Sequence, residues 1–481
     1  MNLRPHVGLT FDDVLLVPKR SAIKSRSLVS TSTYFSRGIQ IAVPIVSANM
    51  DTVTEAPMAI AMARAGGIGV IHRFMPIKKQ ALQISRVKRV ESFIVEDPLV
   101  ISADAKVSDA RQMLEDTKVG GLGVLDSQAK LIGLITTRDI LLETNLNILV
   151  KDVMTTLDRL VTAPVGISME EARAQLHKRG VEKLPLVDEY GTLQGMITTK
   201  DIIKLEKHPD ATKDEKGRLR VAAAVGVRDN DFERALACVN AGADALVVDI
   251  AHGHSDMAIK MVQQLKRRLP DVDVIAGNVA TPEGVHDLAS VGADGIKVGV
   301  GPGSTCVTRS VTGFGVPQLT AVSECSKYGQ ASGVPILADG GIRTSGDIVK
   351  ALGAGASAVM VGSLLAGTDE SPGAVIVRGG RRYKIVRGMA SLTANIHRRE
   401  IDGHTDVHPT DLEQVIPEGV EAIVPYRGGA KETIIQLVGG LRSGLSYCGA
   451  NTIQSLWESA EFIRITPAGM IENKHHDVQA V

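Results

Sequence analysis

Aromatic side chains are scarce in this 481-residue chain: seven Phe, six Tyr and one Trp, 3% in all. That argues against stacked-base readout of nucleic acid, which relies on aromatics. An excess of either charge is also missing, because 54 basic residues balance 54 acidic ones. Neither nucleic acid nor an anionic membrane is therefore expected as the main partner. No apolar run reaches the roughly 18–20 residues a membrane helix needs. The opening MNLRPHVGLTFDDVLLVPKR is too polar and interrupted for a secretory signal. Four cysteines, Cys238, Cys306, Cys325 and Cys448, make neither a disulfide framework nor a metal spacing. A reducing, cytoplasmic setting is the expectation.

Glycine, by contrast, is abundant, with 48 residues clustering at the ends of apolar runs. Eight such runs read as strands: IAVPIVSANM from 41, GGIGVIH from 66, VAAAVGV from 221, ALVVDIAHG from 245, VDVIAGNVAT from 272, ADGIKVGVG from 293, VPILADGGI from 334 and SAVMVGSLL from 357. From 221 onward they alternate with helix-like segments such as DNDFERALACVNAG and SGDIVKALGAG. Strands alternating with helices imply a parallel sheet. Eight of them favour a closed (β/α)8 barrel over the alternative, an open doubly wound sheet.

About 150 residues separate the second and third runs, and this interval holds a repeat. GVLDSQAKLIGLITTRDIL (123–141) matches LVDEYGTLQGMITTKDII (186–203) at an offset of 62 residues. Asp126, Gly133, Thr137 and Asp139 align with Asp188, Gly195, Thr199 and Asp201. Two copies are too few for a solenoid but suit a pseudo-symmetric pair. They resemble a tandem of CBS modules, which implies that Thr137, Asp139, Thr199 and Asp201 contact the ribose and phosphate of a regulatory nucleotide. The plainer alternative is an insertion that binds nothing.

Barrel chemistry collects on the loops that follow the strands. After the sixth run comes GVGPGSTCVTRSVTGFGVPQ, where Gly299, Gly301 and Gly303 free the backbone for close approach to a ligand or ion. Ser304 offers a phosphate donor, and Cys306 a thiolate for an electrophilic carbon. The seventh run ends in Asp339 beside two glycines, and the eighth in Gly362 and Ser363; such paired loops are the usual barrel phosphate site. Asp249 and Asn278 end the fourth and fifth runs on the same face. A lone loop cysteine is usually an inert small hydrophobe, so its coincidence with the phosphate loops carries the argument. His252 and His254 suggest a metal pair, but no further ligand stands at matching spacing. GVGPGS is not the dinucleotide fingerprint, so no Rossmann unit is expected.

LTFDDVLLVP, PIVSANMDTVTE, AGNVAT, KVGVGPGSTCVTR, ADGGIRTSGDIVKALGAGASAVMVGS, AGTDESPG and GGLRSGLSYCGA together resemble the IMP dehydrogenase/GMP reductase family over nearly the whole chain. The resemblance implies an α/β (β/α)8 TIM barrel interrupted by a tandem CBS (Bateman) domain. It places the barrel at 1–92 and 208–481, the CBS pair at 93–207 and a mobile flap at about 388–430. It further implies a homotetramer or octamer, a purine 5'-monophosphate substrate, NADPH or NAD, a covalent thioimidate, and ATP or GTP at the CBS pair. By position Cys306 is the nucleophile, with Thr308 beside it. Ser304, Asp339, Gly341, Gly362, Ser363 and Gly388 hold the ribose phosphate. Ser47 and Met50 flank the nucleotide, and Glu418 lies near the purine. Asp249 and Asn278 face the nicotinamide riboside. Carbonyls of Gly301, Gly303 and Cys306 resemble the family's potassium site, and Glu472 completes a neighbour's.

The two activities of the family part at water. A dehydrogenase must hydrolyse its adduct, and the family supplies an Arg-Tyr pair on the flap for that step. No Arg-Tyr pair occurs between Gly388 and Pro417. GMASL departs from the dehydrogenase GMGSL, Val386 replaces a common Tyr, and PQLTAVSEC is closer to the reductase form. Against this, PEGVEAIVPYRGG and GGLRSGLSYCGA are dehydrogenase-like, and Leu392 stands where reductases are expected to carry Glu. His404 or His408 is a candidate replacement base. Losing general-base help costs a step about 10²–10⁴-fold, so GMP reduction is the favoured direction and IMP oxidation the alternative. An alternative of another class is a silent nucleotide sensor whose CBS pair reads ATP or GTP, against which the retention of Cys306, Ser304 and Asp339 argues; a paralogue acting on another purine monophosphate uses the same residues.

Overall fold

The apolar runs form short, buried parallel strands, each followed by a helix. The computed structural model describes residues 3–473 except 92–93, 97, 118, 142, 207 and 402–415. The strands are β1 Ile45–Ser47, β2 Ile68–Ile71, β3 Ala222–Val225, β4 Ala245–Asp249, β5 Asp273–Val279, β6 Gly295–Val298, β7 Ile336–Asp339 and β8 Ala358–Val361. Their helices are α1 Ala56–Arg64, α2 Ile77–Val90, α3 Asp229–Asn240, α4 Asp256–Arg268, α5 Pro282–Ser290, α6 Gln318–Ser332, α7 Ser345–Gly353 and α8 Ala430–Tyr447. The strands close in the order β3-β4-β5-β6-β7-β8-β1-β2. Met360 opposite Val46 and Ala222 opposite Val70 complete the ring. This is the (β/α)8 barrel the runs imply, and all eight lie on strands.

Caps start the helices where the sequence supplies them. Ser255 accepts from Ala258 N, Thr281 from Gly284 N with Pro282 just inside, and Thr344 from Asp347 N. Inside the barrel Val46, Ile68, Val70, Val247, Ile275, Leu337 and Met360 pack with Phe35, Ile39 and Ile41. These last three come from a hairpin, Thr33–Tyr34 against Gln40–Ile41, beside the strands' N-terminal ends. Arg37 N donates to Asp294 O at 2.9 Å, and Thr33 Oγ1 donates to Ser357 O at 2.9 Å. That end of the barrel is plugged with hydrocarbon, which leaves the C-terminal mouth for chemistry. Also beyond the N-terminal ends, the single Trp457 donates its indole N–H to Ala356 O at 3.1 Å.

Between β8 and α8 the chain makes a three-stranded antiparallel sheet, Val375–Arg378, Arg381–Arg387 and Glu421–Pro425, and a helix, Leu392–Ile401. His404 and His408 lie outside the described residues. No helix among the described residues is long and apolar enough to cross a membrane.

The chain divides into two compact units: Met1–Val90 with Asp210–Asp214 and Leu219–Val481, and Glu91–Pro209 with Glu215–Arg218. Within the first, buried Lys88 on α2 lies 2.9 Å from both Asp214 and Asp244, so the ends where the chain leaves and returns are pinned together. The second unit shows the 62-residue repeat in three dimensions. Gly121–Leu125 pairs with Leu131–Thr136, and Lys183–Val187 pairs with Leu193–Thr198, in equivalent registers with equivalent irregularities. A β-carbon on Gly133 would press within 2.5 Å of Met154 Sδ, and one on Gly195 within 3.0 Å of Ile94 Cγ2. Both repeated glycines therefore admit close neighbours.

Candidate active site

A cavity of about 280 Å³ opens at the C-terminal mouth of the barrel. Its wall is built from strand ends, and its charge is organised by a residue in the middle of the apolar run GIKVG. Lys297 on β6 is 3% exposed, with Nζ 2.5 Å from Asp249 Oδ1 and 2.7 Å from Asp339 Oδ2. It also donates to Asn278 Oδ1. Asn278 Nδ2 donates to Gly299 O at 2.7 Å and to Asp339 Oδ2 at 2.9 Å, and Asn49 Nδ2 donates to Asp249 Oδ2 at 2.8 Å. The ends of β4, β5, β6 and β7 thus converge on one ammonium.

Burial opposes charge on Lys297, but Asp249 and Asp339 outweigh it and hold the ammonium above the ordinary lysine range. Burial likewise works to raise the carboxyl of Asp249, and Lys297 reverses that, leaving it below the usual carboxylate range. The Asp249 carboxylate and the Lys297 ammonium are therefore ionised together at neutral pH.

Cys306 stands on the wall formed by the loop after β6. Its Sγ lies 3.2 Å from Thr308 Oγ1. Val307 N donates to Glu418 O at 2.8 Å, and Val420 N donates to Thr305 O at 2.9 Å, so residues 418–420 lie against the thiol loop. Glu418 N donates to Ala390 O at 3.0 Å, and Gly388 N donates to Val420 O at 3.0 Å. Glu418 lines the cavity, and its carboxylate makes no hydrogen bond or ion pair with any described residue. Arg309 reaches across the same loop; burial lowers the pKa of its guanidinium, and the Cys306 thiol acts in the opposite sense.

The loop glycines answer to identifiable neighbours. At Gly299 a β-carbon would sit 2.1 Å from Asp339 O, so only glycine lets this strand end pass its neighbour. Buried Gln318 seals the same junction, donating to Val298 O and Asp339 O at 3.0 Å each.

Of the residues singled out from the sequence, Met50, Asp249, Asn278, Gly301, Gly303, Cys306, Thr308, Asp339, Gly388 and Glu418 all line this cavity. Ser47 does not: it is fully buried, and its hydroxyl accepts from Thr54 Oγ1 at 2.9 Å. The next residue, Ala48, takes the place on the wall. Ser304, Gly341, Gly362 and Ser363 are outside the cavity lining. Gly341, with φ of +82°, faces the Phe11 ring, and Gly362 precedes the four-residue helix Ser363–Ala366. Glu472 is exposed on the helix Pro467–Glu472. His254 is bonded to Asp287 at 2.8 Å, and Asp287 also holds His286 at 2.9 Å. Among the described residues no group of three His, Cys, Asp or Glu is placed to hold a metal ion.

Sequence reasoning missed Lys297, Arg309, Arg73, Asn49 and Arg398. For Lys297 the signal was present, since a solitary lysine inside an apolar strand requires counter-charges. In the second unit, Asp139 Oδ2 accepts from Thr136 N at 2.8 Å and from Thr136 Oγ1 at 2.7 Å, and Asp201 Oδ2 accepts from Thr198 Oγ1 at 2.6 Å. Each aspartate is the third residue of its helix and ties back to the threonine before it: Asp139 accepts the Thr136 N–H, and Thr198 Oγ1 caps the second helix by accepting from Asp201 N at 3.3 Å. Thr199 N donates to Glu182 O at 2.9 Å.

Fold and site define a barrel protein whose thiol shares one cavity with paired, lysine-bridged carboxylates. The chain matches the IMP dehydrogenase / GMP reductase domain over residues 8–476. It is 54% identical to the inosine-5'-monophosphate dehydrogenase of Nitrosopumilus maritimus, covering 98% of each chain. It is 47% identical to the GMP reductase of Leishmania major, covering 98% of this chain and 97% of that one. Among solved structures, GMP reductase from Trypanosoma brucei in complex with guanosine 5'-monophosphate superposes with a TM-score of 0.85 at 45% identity, covering 98% of both chains. The chain belongs to the IMP dehydrogenase/GMP reductase family, whose enzymes are oxidoreductases of purine monophosphates.

Proposed function

We propose that this chain is a GMP reductase, converting GMP to IMP and ammonia with NADPH through a covalent adduct on Cys306. One observation carries the direction: between Gly388 and Pro417 the sequence has no Arg-Tyr pair to activate water against that adduct. The relatives carry both activities by name, so similarity alone does not choose.

The residues support the following sequence. Cys306 Sγ attacks C2 of the purine while the thiol's proton passes to a ring nitrogen. The 2-amino group leaves as ammonia, its proton coming from Glu418, the cavity carboxylate that Lys297 does not occupy. Thr308 holds the sulfur in line. Bound NADPH would supply the hydride for C2; the C–S bond then breaks, its electrons and the ring nitrogen's proton return to sulfur, and IMP is released. Asp339 suits the ribose hydroxyls as an acceptor, with Gly388 beside it. Ser304, Gly341, Gly362 and Ser363 form the phosphate end, and Met50 packs on the base. Asp249 and Asn278 lie toward the nicotinamide riboside, with Asp249 as an acceptor. A potassium ion takes oxygen donors, and the carbonyls of Gly301, Gly303 and Cys306 suit it, with Glu472 directed to a neighbouring copy. We assign the second unit as a tandem CBS domain that binds ATP or GTP beside Thr137, Asp139, Thr199 and Asp201, and the assembly as a homotetramer or octamer.

Leu392 was the difficulty for a reductase. It begins a helix, is 40% exposed and is not on the cavity wall, whereas Glu418 is. IMP oxidation by NAD remains the second reading, favoured by the dehydrogenase-like PEGVEAIVPYRGG and by Arg398, which lines the cavity. Absorbance at the nicotinamide band decides. NADPH consumption with GMP and release of ammonia is the expected result; NADH formation from IMP with XMP accumulating, and GMP inert, overturns it.

A further inference from the structure

Two glycines of the thiol loop make room for an arginine. Arg309 lies on the short helix Thr308–Thr312, just beyond Cys306. Its Nε donates to Val300 O at 3.1 Å and its Nη2 to Val316 O at 2.6 Å, so one guanidinium joins the beginning of the loop to its end. A β-carbon on Gly301 would lie 2.5 Å from Arg309 Cγ, and one on Gly315 would lie 2.6 Å from Arg309 Nε. The side chain runs in a slot that any larger residue would fill, and φ of +84° and +155° at these positions reserves them for glycine anyway.

Hydrogen bonds from a charged donor are about twice as strong as neutral ones, and the planar guanidinium engages two acceptors at once where an ammonium is a point. The loop therefore has two kinds of restraint. Residues 418–420 hold Thr305 and Val307 from outside, and Arg309 holds the loop to itself from inside. Only the second travels with the thiol.

We propose that Arg309 is a positioning residue for the reaction, an internal brace that keeps the 300–316 loop in one shape and so aims Cys306 at the purine carbon. It rests on Cys306 being the nucleophile, as proposed above. A displacement of about 1 Å at a reacting atom can cost roughly 10²-fold in rate, so a brace acts on turnover more than on affinity.

The test compares Arg309→Met and Arg309→Lys with the unaltered full chain. For Arg309→Met we expect kcat to fall about 30-fold, KM for the nucleotide to stay within about twofold, and the rate at which 6-chloropurine ribonucleotide labels Cys306 at saturation to fall in step with kcat. Arg309→Lys, which keeps the charge and one contact, should recover part of both rates. Unchanged kcat and labelling in a folded Arg309→Met protein would overturn the proposal, as would a loss confined to KM. If Arg309→Met does not fold, Arg309→Lys decides: wild-type kcat and labelling there also overturn it, and a joint reduction of about threefold or more supports it. Failure of the unaltered chain to be labelled at all would instead sink the nucleophile.

Discussion

The barrel and the inserted unit use the same residue types in opposite ways. In the barrel, Asp249, Asn278, Lys297 and Asp339 come from four strands and meet each other across the mouth. In the insert, the repeated residues serve their own neighbourhoods. Asp126 accepts from Gln128 N and Lys130 N at 2.8 and 2.9 Å, and Asp188 accepts from Tyr190 N and Thr192 N at 3.0 and 2.8 Å, each closing a turn. Asp139 and Asp201 close helix starts. Recurrence in a sequence thus marks local architecture as readily as ligand contact, whereas convergence from distant strands has no local use and points to chemistry.

The strongest challenge to this contrast is Cys306→Ala. Turnover should disappear while GMP binding, measured by calorimetry, persists; an active alanine variant would remove the covalent route. Next is Lys297→Met, which leaves two half-buried carboxylates without their counter-charge and should destabilise the barrel by about 3–5 kcal/mol in urea. The sign with pH is definite. Asp249 is held below the usual carboxylate range, so its pairing contributes fully at neutral pH and is lost as pH falls through that depressed value. The variant's deficit should therefore narrow in acid, and a deficit independent of pH would mean that packing, not charge, was lost.

Smaller effects test the insert. Asp201→Ala should cost about 0.5–1.5 kcal/mol as a lost hydrogen bond at the helix start and leave GMP turnover unaltered. Asp201→Asn keeps an acceptor for the Thr198 hydroxyl, so a tenfold loss of ATP or GTP binding in that variant would show a ligand contact in addition to the bond at the helix start. Smallest of all, Glu115→Ala breaks an exposed pair with Arg111 at 3.0 Å and should shift stability by under about 0.5 kcal/mol.

The barrel was legible because buried parallel strands are continuous apolar runs that stop at glycine, and every run of that kind is a strand. The site was legible where a chemical residue terminates such a run, as with Asp249, Asn278 and Asp339. Ser47 shows the limit. Neighbouring strand residues face opposite ways, so a shift of one position exchanges wall for core, and Ala48 has the place assigned to the serine. Arg309 was illegible for a different reason: its acceptors are main-chain carbonyls at 300 and 316, which no side-chain pattern marks. Glu418 was placed near the purine, but its freedom from Lys297 emerges only once the competing carboxylates are seen to be occupied.

The solitary indole beside Ala356 gives the molecule a built-in optical label. Trp457 belongs to the barrel, and the insert's sequence has one tyrosine, Tyr190, and no tryptophan. Emission excited at the red edge therefore follows one body alone, while far-ultraviolet dichroism follows both. A single heating ramp recorded in the two channels separates their melting without any added dye.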